Sequence, residues 1–156
     1  MPAKDAAAAT PAEDREEPRF HRPAEELVQR TARRVVKGGR ASFHSQAAFR
    51  LAVIAALRRE DPLASIGGPR LRRLLVGVPG VRLSVRYRER PGAAAPAECP
   101  VCQGTLVPIH NRTLTGEKVA LGQRCTRCDY WTHGATRVPV RYSISAAGID
   151  GRPARR

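Results

Sequence analysis

Two Cys-x-x-Cys pairs, Cys99–Cys102 and Cys125–Cys128, stand 22 residues apart in a chain with no other cysteine. No other feature constrains the fold as strongly. In a reducing compartment such pairs are metal ligands before they are disulfides. Each pair makes a tight knuckle that brings two sulfurs to one side. Two knuckles from separate hairpins complete a tetrahedron, the arrangement of a structural zinc site with Zn–S near ~2.3 Å. Backbone N–H groups just past each pair can donate to the thiolates, and Gly104 is expected to supply a positive φ for the first turn. Cys99, Cys102, Cys125 and Cys128 fill all four positions, so no open position is left for a reacting water. The expectation is one structural Zn²⁺ per chain and no catalytic site. His110 and His133 lie nearby, but the four thiolates already complete the set. A redox dithiol is disfavoured by the presence of two pairs and the lack of a thioredoxin-like βαβ context.

Between the knuckles, Leu106, Val107 and Ile109 read as one strand and Val119, Ala120 and Leu121 as another, with Thr115-Gly116-Glu117 as the turn. A third strand over 138–144 completes an antiparallel three-stranded ribbon, bounded at 99–146. Tyr130 and Trp131 either cap its small core or stack on bases.

The stretch before the ribbon reads as helical. Pro23 and the acids Glu25 and Glu26 open a first helix, because acids suit the positive end of the helix dipole. Leu27, Val28, Thr31, Ala32, Val35 and Val36 give it one apolar stripe, and Gly38-Gly39 ends it. Ser42 or Ser45 caps a second helix over 47–57. That helix is apolar nearly all round and is expected to be the buried central one. Asp61-Pro62 stops it. Gly67-Gly68-Pro69 announces a third helix, with Leu71, Leu74 and Leu75 inward and Arg70, Arg72 and Arg73 outward. A strand then alternates over 81–88: Val81, Leu83, Val85 and Tyr87 inward, Arg82, Ser84, Arg86 and Arg88 outward. Three short helices and a strand predict a winged-helix-like module over 23–90. A histone-like helix–loop–helix over 27–59 is the rival, and Asp61-Pro62 makes its second helix too short. The fold class is thus α+β, a small helical module followed by a zinc ribbon. Residues 1–22 are expected to be a disordered arm, 91–98 a linker and 147–156 a basic tail.

Charge supplies the functional expectation. Of 28 Lys and Arg only three are Lys, against 14 acids, for a net charge of +14. From Arg30 to Arg90 there are 15 basic residues and three acids, a net +12 in what reads as the folded half. Such an excess implies a polyanionic partner. The expected nucleic-acid contacts are Arg70, Arg72 and Arg73 on the third helix, Arg82, Arg86 and Arg88 on the strand, Arg40, and Arg112, Lys118 and Arg127 in the ribbon. Arg124, Arg137 and Arg141 would extend that surface. The longest apolar run, 51–57, is far short of the ~20 residues a bilayer requires. No signal peptide, P-loop, HExxH or Ser/His/Asp pattern is present. The chain reads as a cytoplasmic non-enzyme with no membrane or small-molecule partner.

The segments CPVCQGTL and GEKVALGQRCTRCDY resemble the zinc ribbons of archaeal and eukaryotic transcription and translation proteins. Those include basal transcription factors, zinc-bearing ribosomal proteins and the zinc-ribbon subunit of RNase P, whose Leu-Val-Pro after the first knuckle is matched by Leu106, Val107 and Pro108. The whole is similar to small archaeal proteins with a winged-helix-like head and a four-cysteine ribbon. The resemblance spans about 45 residues and implies RNA binding with ribosome or translation association. The alternatives are a winged-helix DNA-binding regulator, or an adaptor docking on a large RNA or polymerase complex, an RNase P-like subunit included.

Overall fold

Pairing of strands far apart in sequence organises the computed structural model, which describes residues 19–38 and 42–147. The element order is α1 (Glu25–Gly38), β1 (Ser42–Phe43), α2 (Gln46–Leu57), α3 (Gly68–Leu75), β2 (Val81–Arg90), β3 (Leu106–Arg112), β4 (Lys118–Cys125) and β5 (Thr136–Ala146). These make three helices, an antiparallel sheet in the order β1-β5-β2, and a separate β3-β4 hairpin. The mixed α+β class is as expected.

The helices form where their local signals place them. α1 buries Val28, Thr31, Ala32 and Val36 from its apolar stripe. Ser45, not Ser42, caps α2: its side chain accepts from the Ala48 N–H at 3.1 Å. α3 follows Gly67, with Pro69 in its first turn, and buries Leu71, Leu74 and Leu75. α2 is not buried all round. Phe49, Val53, Ile54 and Leu57 are inside, whereas Ala47, Ala48, Leu51 and Ala55 face solvent. The helices cover one face of one small sheet, and nothing among the described residues lies beyond α2.

The third ribbon strand is where the sequence reading fails. β5 lies between β1 and β2, and it pairs with β2 over the whole of that strand, from Val81↔Ala146 to Arg90↔Thr136. It does not join β3 and β4, so the ribbon is a two-stranded hairpin with a single further bridge, Arg124↔Trp131. The boundary at 91–98 therefore does not separate two consecutive modules. The hairpin and both knuckles are an insertion between two neighbouring strands. The 91–98 segment is itself fastened: the Thr136 hydroxyl lies 3.0 Å from the Ala93 carbonyl.

Pro139 is tolerated in β5 because β1 reaches only Ser145 and Ile144, so at Pro139 the strand has β2 on one side and, among the described residues, no strand on the other. A bulge beside it, at Val140, shifts the β2–β5 register between Arg86 and Tyr87. At the other end of the chain, His21 pairs with Ala64 and its ring lies 2.6 Å from Asp61. Arg58 stacks on Phe20 with its guanidinium carbon 5.0 Å from the ring centre. The expected arm thus ends before Phe20; its residues 1–18, Gly39, Arg40 and the tail at 148–156 lie outside the described residues.

Two apolar clusters share the inner face of the sheet. The helices pack on its first half, where Phe49, Leu57, Leu71 and Ile144 are buried beside Val81 and Leu83. The cysteine knuckles pack on its second half, where Cys99, Val101, Cys102, Cys125 and Tyr130 cover Val85, Tyr87 and Tyr142. Leu83 borders both clusters.

Candidate metal centre and its arginine surroundings

The four cysteines come together at the base of the hairpin, where Leu106 pairs with Cys125. Cys99 Sγ lies 3.5 Å from Cys128 Sγ, and Cys102 Sγ lies 3.5 Å from Cys125 Sγ and 3.7 Å from Cys128 Sγ. All four sulfurs fall within 4.8 Å of one another. A disulfide needs about 2.05 Å, so none is present. A tetrahedron of thiolates around an ion at ~2.3 Å has edges of about 3.8 Å. The cluster has that size, and the donor set fits a thiophilic divalent ion. His110 and His133 are exposed and outside it.

Local backbone geometry makes the knuckles. In the first, the Gln103 N–H donates to the Cys99 carbonyl at 2.8 Å and the Cys99 N–H to the Gly104 carbonyl at 3.0 Å. The positive φ falls at Gln103, at 59°, rather than at Gly104 as expected. Gly104 is favoured for a different reason, close packing. A Cβ there would lie 3.0 Å from Arg127 Cδ and 3.2 Å from Cys102 Sγ. The second knuckle is closed by the Cys125 N–H to the Tyr130 carbonyl at 2.8 Å, and the Arg127 N–H donates to Cys125 Sγ at 3.3 Å. A direct link, Thr126 N–H to the Thr105 carbonyl at 3.1 Å, joins the two.

Burial pushes the Cys102 thiol up to about 11, against the pull of the Gly104 N–H. Burial also drives Cys128 far up, and Cys99 beside it adds to the rise. Cys125 is buried too, but the Arg127 and Cys128 N–H groups outweigh that and hold it below its ordinary value. Cys125 is thus the favoured thiolate, beside two reluctant ones, Cys102 and Cys128. Four thiolates this close require a cation to ionise together.

The expected nucleic-acid contacts divide. Arg70, Arg72 and Arg73 are half-buried rather than outward. Arg70 donates to the Pro23 carbonyl at 3.0 Å. Arg72 donates to Gln46 Oε1 at 2.7 Å and to the Val101 carbonyl at 3.4 Å, and stacks on Tyr142 at 4.5 Å. Arg73 donates to Gln103 Oε1. Helical periodicity separates an apolar face from a polar one; it does not reveal that the polar face meets the first knuckle. Arg86 and Arg88 are exposed on β2, and Arg82 is partly covered. Arg86 stands directly opposite Arg141, beside a shallow depression of about 300 Å³ lined by His44, Ser84 and Ser143. Arg112 and Lys118 face each other at the far tip of the hairpin, roughly 20 Å from the cluster by strand rise. Arg127 is exposed at the second knuckle.

The aromatic pair resolves into two roles. Tyr130 is buried, packs on Tyr87 and donates its hydroxyl to the Arg137 carbonyl at 3.0 Å. Trp131 remains 46% exposed. The Arg137 guanidinium lies between two rings, 4.3 Å from the Tyr87 centre and 4.5 Å from the Trp131 centre. The role of Tyr87 here was not legible, because alternation marks it only as inward-facing.

No protein-family model, curated protein or solved structure matches this chain.

Proposed function

We propose that this protein is a zinc-braced nucleic-acid-binding protein, with RNA as the favoured partner. Four converging thiolates with no other donor type favour zinc. The observation that carries the binding reading is the distribution of charge on the folded surface. Among the described residues the carboxylate ion pairs gather at Glu60 and Asp61, which meet Arg30, Arg34 and His21. Arg86, Arg88, Arg124, Arg127 and Arg141 lie elsewhere, and Arg86 faces Arg141 instead of an acid. Like charges placed opposite each other cost stability, and a polyanion removes that cost.

The element order also supports a winged-helix reading. Three helices precede a strand pair, β2 and β5, and the cysteine-bearing hairpin occupies the place of the wing. A helix that reads duplex DNA must present free side chains to the groove. Here α3 uses Arg70, Arg72 and Arg73 on its own chain. That favours RNA, with ribosome or translation association, over a groove-reading regulator. Among the described residues no helix is long and apolar enough to cross a membrane.

The test is a titration of the zinc-loaded chain with labelled single-stranded RNA, single-stranded DNA and duplex DNA at stepped salt. Binding should weaken linearly in log–log form as counterions are released. Tight binding to one duplex sequence against competitor RNA would support the regulator instead. No binding to any probe at low salt would leave the charge to a protein partner and favour the adaptor.

A further inference from the structure

A groove of about 1580 Å³ runs between the outer edge of β2, unpaired among the described residues, the C-terminal turn of α3 and the second knuckle. It exceeds the ~300–1,000 Å³ of ordinary small-molecule clefts. Its wall carries Trp131, Tyr87, Arg124, Arg127 and Arg137, with Asp129 as the carboxylate among them. We infer that this groove binds single-stranded nucleic acid, with a base stacked on Trp131 and the backbone held by Arg124 and Arg127. The inference rests on the nucleic-acid reading above and narrows it to one strand form and one site.

Three observations carry it. Trp131 is half-exposed although large and apolar, and its ring already stacks on Arg137. A base laid on the ring would extend the Tyr87–Arg137–Trp131 stack. Bases in a duplex are stacked on each other, so such a platform suits an unpaired base. Secondly, neither Arg124 nor Arg127 has a carboxylate partner among the described residues. Both line the groove together with the ring, Arg124 on β4 as the backbone bridge partner of Trp131 and Arg127 on the second knuckle. Thirdly, the platform is fixed in advance. The Trp131 backbone bridges Arg124, and Tyr130 anchors the Arg137 carbonyl from the buried side. A pre-set ring loses little entropy on binding.

Trp131 is the one tryptophan of the chain, so its emission reports this site alone. The zinc-loaded protein is titrated with short end-labelled oligo(U), oligo(dT) and duplex DNA, and with base-free polyphosphate, following label anisotropy and tryptophan emission together. Quenching by oligo(U) or oligo(dT) that saturates with the anisotropy supports the groove, and the tighter arm identifies the sugar. Polyphosphate should compete without quenching. Trp131→Ala should weaken single-strand binding on the order of tenfold and Trp131→Phe much less, from the usual strength of base–aromatic stacking. Zinc content and far-UV circular dichroism of the variants check that the fold is kept. Anisotropy that rises while emission stays constant overturns the groove and leaves nucleic-acid binding standing. Equal quenching by duplex overturns the single-strand assignment. Silence in both signals at low salt removes the nucleic-acid reading itself.

Discussion

Ile144→Ala should destabilise the chain by about 3–4 kcal/mol, and through the helical core. Ile144 is wholly buried on β5, with Phe43 of β1 and Leu83 of β2 as its register partners and the helices above it. Truncating a buried Ile to Ala costs ~2–5 kcal/mol, from lost transfer energy and from the cavity left behind. The upper half of that range applies because the site is enclosed by two strands and a helical layer, which cannot collapse inward together. Against a total stability of about 5–15 kcal/mol this is a large share. For a chain of this length it corresponds to a fall of about 10 °C in Tm. Ile144→Val should cost about 1 kcal/mol. Urea unfolding followed by far-UV circular dichroism, with saturating zinc, measures the loss, and a parallel chelator competition measures zinc affinity. A shift worth under about 1 kcal/mol together with weakened zinc binding would mean that β5 packs with the hairpin rather than the helices, and the reasoning would fail.

Metal binding should weaken in acid. The Cys102 thiol, raised to about 11, and the Cys128 thiol, raised further by burial, must shed protons to become ligands, so zinc and protons compete throughout the neutral range. Apparent zinc affinity should fall by at least tenfold per pH unit from pH 9 down to 6, read by competition with a chromophoric chelator; a flat profile would contradict the raised values. Gly122→Ala should be more damaging than any substitution on the hairpin tip. A Cβ at Gly122 would come within 1.9 Å of the Thr132 carbonyl oxygen, which is backbone and cannot rotate away. The strand after the second knuckle must move, so we expect loss of the Gln123–Thr132 bonds, lower zinc affinity and a lower Tm, whereas Arg112→Ala should leave all three unchanged. Amide exchange at Thr132, whose N–H donates to the Gln123 carbonyl at 2.7 Å, follows the local opening directly.

Signals that act over a few residues were legible in the sequence. The four-cysteine cluster follows from the cysteine spacing, α1 from its stripe, and β2 from its alternation. What was not legible depends on partners. The alternation in β5 states which side chains share a face, but it is the same whether the neighbour is β4 or β2. β1 is two residues long, too short to have a period. Gln103 adopts a left-handed conformation that a reading of glycines assigns to Gly104, and Gly104 instead lies where Arg127 and Cys102 approach closely. The arginines of α3 read as a binding face because they are polar and off the stripe. Their acceptors, Pro23, Gln46, Val101 and Gln103, come from three other segments and have no trace in the local pattern.

The position of the four-cysteine site bears on how the arm formed by β2 and β5 is covered. Its second half extends past the helices, and there Val85, Tyr87 and Tyr142 would face water on the side where the first half meets the helical core. The knuckles cover that face. They bring few apolar side chains of their own, chiefly Val101 and Tyr130 besides the cysteines. Apolar burial of that extent is small beside the order of 10 kcal/mol that zinc contributes in comparable small domains. An ion held by the four cysteines would close the cover, and the cover holds the rest. Val101 and Gln103 accept from Arg72 and Arg73, so α3 is fastened to the first knuckle. Tyr130 holds Arg137, and Arg137 carries Trp131. Removing the metal should thus loosen the α3 contacts and dismantle the stacking platform in one event, while α1, α2 and Ile144, which belong to the other cluster, keep their packing.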